Sequence, residues 1–167
     1  MKKAMPAGRQ GFTLIELLVS MSIFIIVIMV VLGLFSAAIK AQRKAFAMQD
    51  AQENARFLME FIAKEVRMST INSSTSTNLI LTRPDGSTVI YAIGGGKIER
   101  TSSLSSGPIS SDEVYISGTF YTEGVGSEDG LQPKLTIALK IKTTGTKVEE
   151  RAEINIQTTL CQRNLDL

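Results

Sequence analysis

Glu16 occupies the most unusual setting for a charged group in this chain. It lies in Gly11-Phe12-Thr13-Leu14-Ile15-Glu16-Leu17-Leu18, near the start of an apolar run that continues through Phe35. An ionised carboxylate in hydrocarbon costs on the order of 2.5–3.5 kcal/mol or more, so this position requires a compensating partner. A snorkelling interfacial carboxylate is the plainer reading, since Glu16 stands only four residues beyond Phe12. Other carboxylates gather downstream at Asp112-Glu113, Glu123, Glu128-Asp129 and Glu149-Glu150, and the 123–130 loop is rich in acid and glycine. Hard cations favour such oxygen ligands. The loop lacks the ligand spacing of an EF-hand, and a solvated surface loop explains it as well. No metal or cofactor is therefore expected.

The absence of histidine excludes Ser-His-Asp and Cys-His catalysis and histidine-ligated metals. The Ser-rich stretch 102–111 has no nucleophile-elbow context and reads as a loop. Cys161, the single cysteine, has no intrachain disulfide partner and cannot build a Cys-x-x-Cys zinc site. It reads as a small apolar residue of the last strand, with an intermolecular disulfide as the alternative. No catalytic constellation emerges, so the expectation is a protein that is not an enzyme. The formal charge of +2 also misleads: without Lys2, Lys3 and Arg9 the chain carries 15 basic and 16 acidic side chains. No basic stripe is left to bind nucleic acid directly.

The elements that hold these residues follow from periodicity. Roughly 20 apolar residues cross the ~30 Å hydrocarbon core as a helix, so the run from 12 to 35 is expected to span a membrane. A secretory signal has an apolar core of only about 7–15 residues, although Ser36-Ala37-Ala38 imitates its cleavage site. From Phe12 to about Ser69 there is no proline, and the only glycine is Gly33. After residue 35 the pattern turns amphipathic, with Ile39, Phe46, Ala55, Leu58, Met59, Ile62 and Val66 expected on the apolar face. One helix through both parts would reach on the order of 85 Å.

Asn72–Asn78 reads as a polar linker, beyond which the period becomes two. Leu79–Arg83 and Ser87–Ile93 flank Pro84-Asp85-Gly86 and predict a hairpin. A short strand follows at Lys97–Thr101, then one at Glu113–Thr122 interrupted or bulged at Gly118. Lys134–Lys142 and Lys147–Leu160 form the most regular pair, with Leu135, Ile137, Leu139 and Ile141 on one face. The fold class is thus α+β: one long N-terminal helix packed on a C-terminal antiparallel β-sheet. The expected organisation is a basic leader over 1–11, a transmembrane helix over 12–35, its amphipathic continuation over 36–70 and a β-rich domain over 71–167.

The segment Arg9-Gln10-Gly11-Phe12-Thr13-Leu14-Ile15-Glu16 resembles the N-terminus of type IV pilin-like proteins: pilins, minor pilins and the pseudopilins of type II secretion. The resemblance implies cleavage by a prepilin peptidase between Gly11 and Phe12, followed by N-methylation of Phe12. A glycine lets the peptidase approach the backbone closely. It also implies that Glu16 meets the terminal amine of a neighbouring subunit and sets register, with Thr13 and Leu14 sharing the assembly motif. The implied partners are the prepilin peptidase, other pilins or pseudopilins through the N-terminal helix, an inner-membrane assembly platform, and the bilayer before assembly. Leader-inside orientation follows from the resemblance, because Lys40, Arg43 and Lys44 nearly balance the leader's charge.

Many major pilins carry a helix-distorting proline where Gly33 stands, and a C-terminal disulfide loop that one cysteine cannot form. Gly33 reads equally as a soft point of the helix or as a site of close helix packing. These departures favour a minor pilin or pseudopilin. Arg83–Gly86, Gly96–Arg100 and Gln157–Asn164 look like the J-type minor pseudopilins and W-type minor pilins. The 156 residues after Gly11 fit that group. The expected role is a subunit at or near the tip of a pilus or pseudopilus; the alternative is a permanently inner-membrane-anchored envelope binding domain.

Overall fold

A computed structural model describes residues 11–126 and 132–163. The leader before Gly11, Glu128-Asp129 of the acidic loop and Asn164 lie outside the described residues. The chain divides into two units, Met1–Ala41 and Gln42–Leu167. Helix α1, Leu14–Met68, contributes to both.

In the first unit every described residue is exposed, including Phe12, Ile15, Phe24, Ile26, Leu32 and Phe35. Apolar side chains surround the helix, so there is no polar face to turn toward water. Such a surface is stable only against lipid or other apolar helices. Two hydroxyls inside this surface are satisfied locally: Ser20 donates to the Glu16 carbonyl at 2.7 Å and Ser22 to the Leu18 carbonyl at 2.5 Å. Hydrogen bonding to a carbonyl one turn back lets serine occupy an apolar environment.

In the second unit the same helix becomes one-sided. Ala47, Ala51, Ala55, Leu58, Ile62 and Val66 are buried at steps of three and four residues. That is the period of one helical face. Burying each of the larger side chains in this row contributes about 1.5–3 kcal/mol. The expected face is corrected at its start, where Phe46 is exposed and Ala47 lies inside. Ile39 is likewise exposed, and Met59 is only half-buried.

The β-structure forms two sheets instead of the one expected. The first is an antiparallel meander of β1 (Thr70–Ser74), β2 (Asn78–Thr82), β3 (Thr88–Gly94), β4 (Lys97–Ser102) and β5 (Ser106–Pro108). The second comprises β6 (Val114–Glu123), β7 (Lys134–Thr143) and β8 (Glu153–Cys161), also antiparallel. Leu79, Leu81, Val89 and Tyr91 of the first sheet and Ile116, Leu135, Ile137 and Ile141 of the second join the helical row in one core. Backbone bonds from Ile116 to Gly96 (2.7 Å) and from Phe120 to Ser76 (3.0 Å) tie β6 to turns of the first sheet. Just after β8 the buried Gln162 accepts from the Ile71 amide at 2.8 Å and ties this point of the chain to β1.

Turn chemistry explains the predicted hairpin. Gly86 adopts φ 81°, and the Asp85 carboxylate accepts from the Ser87 amide at 2.8 Å, closing the β2–β3 connection. Three expectations need revision. The polar linker is partly a strand, because Thr70–Ser74 pairs with β2 across a bulge at Ile71/Ser73. The Ser-rich loop contains β5. Gly118 interrupts nothing: β6 pairs with β7 without a register shift, and a Cβ at Gly118 would meet the Ala138 carbonyl. In addition, Val148–Glu150 forms a 3₁₀ turn, so β8 starts at Glu153 and not at Lys147.

Candidate functional site

Residues Gly11–Thr13 precede α1, are exposed and have no regular secondary structure. Thr13 ends this stretch and caps the helix. Its hydroxyl oxygen accepts from the Glu16 amide at 3.3 Å, and its carbonyl accepts from the Leu17 amide at 3.2 Å. A threonine three residues before a glutamate is the signature of a helix start. This local role was legible in Thr13-Leu14-Ile15-Glu16, yet the sequence reading assigned Thr13 only to assembly. Glu16 therefore sits in the first helical turn, where the exposed amides and the helix dipole favour negative charge. Among the described residues, no side chain pairs with its carboxylate.

The structure thus brings Gly11, Phe12, Thr13, Leu14 and Glu16 into one exposed helix start, with Phe12 at 76% and Leu14 at 78% exposure. The Gly11–Phe12 bond lies outside the helix and is exposed, which suits proteolysis, because a helical peptide bond cannot enter an active site without unwinding. Beyond the apolar stretch, Arg43 and Lys44 serve the fold: Arg43 pairs with Glu150 at 3.4 Å, and Lys44 donates to the Arg151 carbonyl. No group of three acidic, histidine or cysteine side chains suited to a metal occurs among the described residues. Of the carboxylates considered for calcium, Asp112 pairs with Lys97. Cys161 lies in the last strand, as expected, but is exposed and not buried as a small apolar residue would be.

The most developed polar cluster escaped the sequence reading. Glu65, on the helix, accepts from Arg83 Nε at 2.9 Å, from Arg100 Nε and Nη2 at 3.0 Å each, and from the Tyr91 hydroxyl. Its side chain is 10% exposed and that of Arg100 is 11%. Burial by itself pushes the Glu65 carboxyl upward, but the donors Arg100, Tyr91 and Arg83 overcome this and hold it down at about 2. Tyr91 is pushed up by its burial and by its bond to Glu65. A carboxylate surrounded by donors keeps its charge and has no capacity to exchange protons near neutrality. The cluster is a fastener between helix and sheet. Tyr91 and Arg100 are register partners across β3 and β4, while Arg83 directly follows β2. Their convergence depends on pairing that the linear sequence does not display.

Residues 6–32 match the family model of the prokaryotic N-terminal methylation motif. The chain is type IV pilin-like. The matched region contains the helix start and the greater part of the apolar run, and the long helix packed on antiparallel sheets completes a pilin-like α+β architecture. No curated protein and no solved structure matches the chain. Proteins with this motif are structural subunits and not enzymes, and the motif implies processing by prepilin peptidase. Together with a helix long and apolar enough to cross a membrane, it points to membrane anchoring of this pilin-like chain.

Proposed function

We propose that this pilin-like chain is a minor pilin or pseudopilin, assembled at or near the tip of a type IV pilus or type II secretion pseudopilus. The observation that carries the reading is the methylation motif laid over an exposed helix start with Glu16 in its first turn. Cleavage falls between Gly11 and Phe12, and Phe12 becomes the N-methylated terminus. The new amine lies about one helical turn from Glu16, and the carboxylate pairs in the filament with the amine of a neighbour. Such a pair offsets the cost of holding either charge in an apolar environment. Thr13 and Leu14 shape the same contact. Before assembly the chain stands in the inner membrane with 1–11 inside and the β-rich domain outside, held by the 12–35 span and its continuation through 70. The assembly platform extracts it from there. The minor role rests on Gly33, where many major pilins carry a proline, and on the single cysteine, which builds no disulfide loop.

The test is co-expression with a prepilin peptidase, followed by intact-mass measurement and terminal sequencing of the membrane-extracted protein. A methylated Phe12 terminus is expected. An intact leader and permanent residence in the bilayer would replace the proposal with a fixed membrane anchor. Glu16→Ala is expected to be processed normally yet to fall at least about tenfold in filament incorporation, the ratio set by roughly 1.4 kcal/mol of lost pairing. Normal incorporation of the variant would remove the register role.

A further inference from the structure

Strand β8 is a long sheet edge without the usual protection. It runs nine residues, Glu153–Cys161, and pairs only with β7 among the described residues. Proteins normally blunt such edges with proline, charge or a bulge. Here there is no proline, the pairing with β7 has no register shift, and the single charge, Glu153, is neutralised by Lys140 (2.6 Å) and Lys142 (3.2 Å). Bonds from the Gln162 amide to Pro133 and from the Thr143 amide to Ala152 set the phase of the ladder. Even-numbered amides of β8 therefore face β7. The amides of Glu153, Asn155, Gln157, Thr159 and Cys161 face outward.

Among the described residues the cover above this edge is also incomplete. Ile137, Leu139 and Ile141 of β7 are buried, whereas Thr158, Ile156 and Ile154 opposite them on β8 are only half-buried. A groove of about 530 Å³ separates β8 from the helix. Met59, Ala63 and Arg67 line it from the helix at four-residue spacing, and Leu160 and Arg163 line it from the strand side. Neither Arg67, Arg163 nor the neighbouring Lys64 forms an ion pair among the described residues. Among the described lining residues the one acid is Glu60, held by Arg56 at 2.8 Å.

We infer that β8 receives one extended strand from a partner protein, with apolar side chains turned into the groove and a carboxylate at its Arg67–Arg163 end. The strand's backbone bonds to the five outward amides and the carbonyls between them. Its inward residues meet Met59 and Ala63, and its acid meets the Arg67 and Arg163 guanidinium groups. Backbone pairing supplies affinity, while the groove and its charge select the sequence. The edge and the N-terminal helix start share no residues, and the inference does not depend on filament assembly.

The probe is a panel of fluorescein-labelled nine-residue peptides with Val, Ile or Leu at alternate positions and a terminal Asp or Glu, titrated by anisotropy against the full chain in detergent micelles. Saturable binding is expected, weakened at least about tenfold by N-methylating alternate peptide amides or by replacing the acid with Lys. Hydrogen exchange at the five odd-numbered β8 amides should slow on binding, with the even-numbered amides unchanged. Thr159→Pro removes an outward N–H that makes no ladder bond, so it should fold and lose binding. Arg67→Glu provides an independent loss without touching the strand. The inference is overturned if no peptide binds, if N-methylated peptides bind equally, or if β8 pairs with a second copy that the peptides cannot displace.

Discussion

Glu65 shows how one side chain can hold a helix to a sheet by charge. Its carboxyl stands at about 2 in the fold against 4.5 ordinarily, so folding favours the ionised form. The resulting stabilisation is fully present above about pH 4.5 and is lost as pH falls toward 2. Solvent screening at the cluster's edge reduces it to about 2 kcal/mol. Glu65→Ala leaves Arg100 and Arg83 facing each other without their anion, so a loss of about 3 kcal/mol is expected in denaturant unfolding. The acid slope between pH 4.5 and 2 should flatten in the same variant. Equal acid sensitivity in both proteins would assign that slope to other carboxylates. Nothing in Glu60-Phe61-Ile62-Ala63-Lys64-Glu65 marks this residue in advance, because its donors come from three positions brought together only by strand pairing. Glu16 was conspicuous for the opposite reason: its surroundings are its sequence neighbours.

The same distinction between local and distant causes governs the elements. Helix α1 was legible because every fact about it is local: no proline, an apolar run, then a repeating row from Ala55 to Val66. The β2–β3 hairpin was legible through Pro84-Asp85-Gly86, and the inward row of β7 through strict alternation. β1 was hidden, since Thr-Ile-Asn-Ser-Ser has one apolar residue and becomes a strand only through β2. β5 was hidden likewise, being three residues that include glycine and proline. Gly118 was misread because glycine in a strand signals a bulge or a close approach, and only the neighbouring strand decides which. It is a close approach. Gly118→Val should therefore cost about 1–3 kcal/mol in thermal or denaturant unfolding, since the added atoms meet the Ala138 carbonyl and the Leu139 backbone. A variant as stable as the parent would show that β6 and β7 can separate at no cost.

At the scale of the molecule, the buried hydrophobic core of the described residues belongs to 47–160. The unit Gln42–Leu167 contains both sheets and the buried row of the helix, whereas no described residue before Ala47 is buried. A fragment beginning at Gln42 is therefore expected to remain soluble and to unfold in one cooperative transition by circular dichroism. A molten fragment would mean that the apolar stretch contributes to folding as well as to anchoring. The division into two sheets, and with it the open edge at β8, could not be read from strand order alone, because consecutive hairpins fit one sheet as readily as two. The cap at Thr13 carries a different implication. Thr13, whose hydroxyl and carbonyl accept from the Glu16 and Leu17 amides, lies downstream of the expected cut. A cut at the proposed bond would therefore leave the Thr13 cap in place while creating a charged terminus one turn from Glu16.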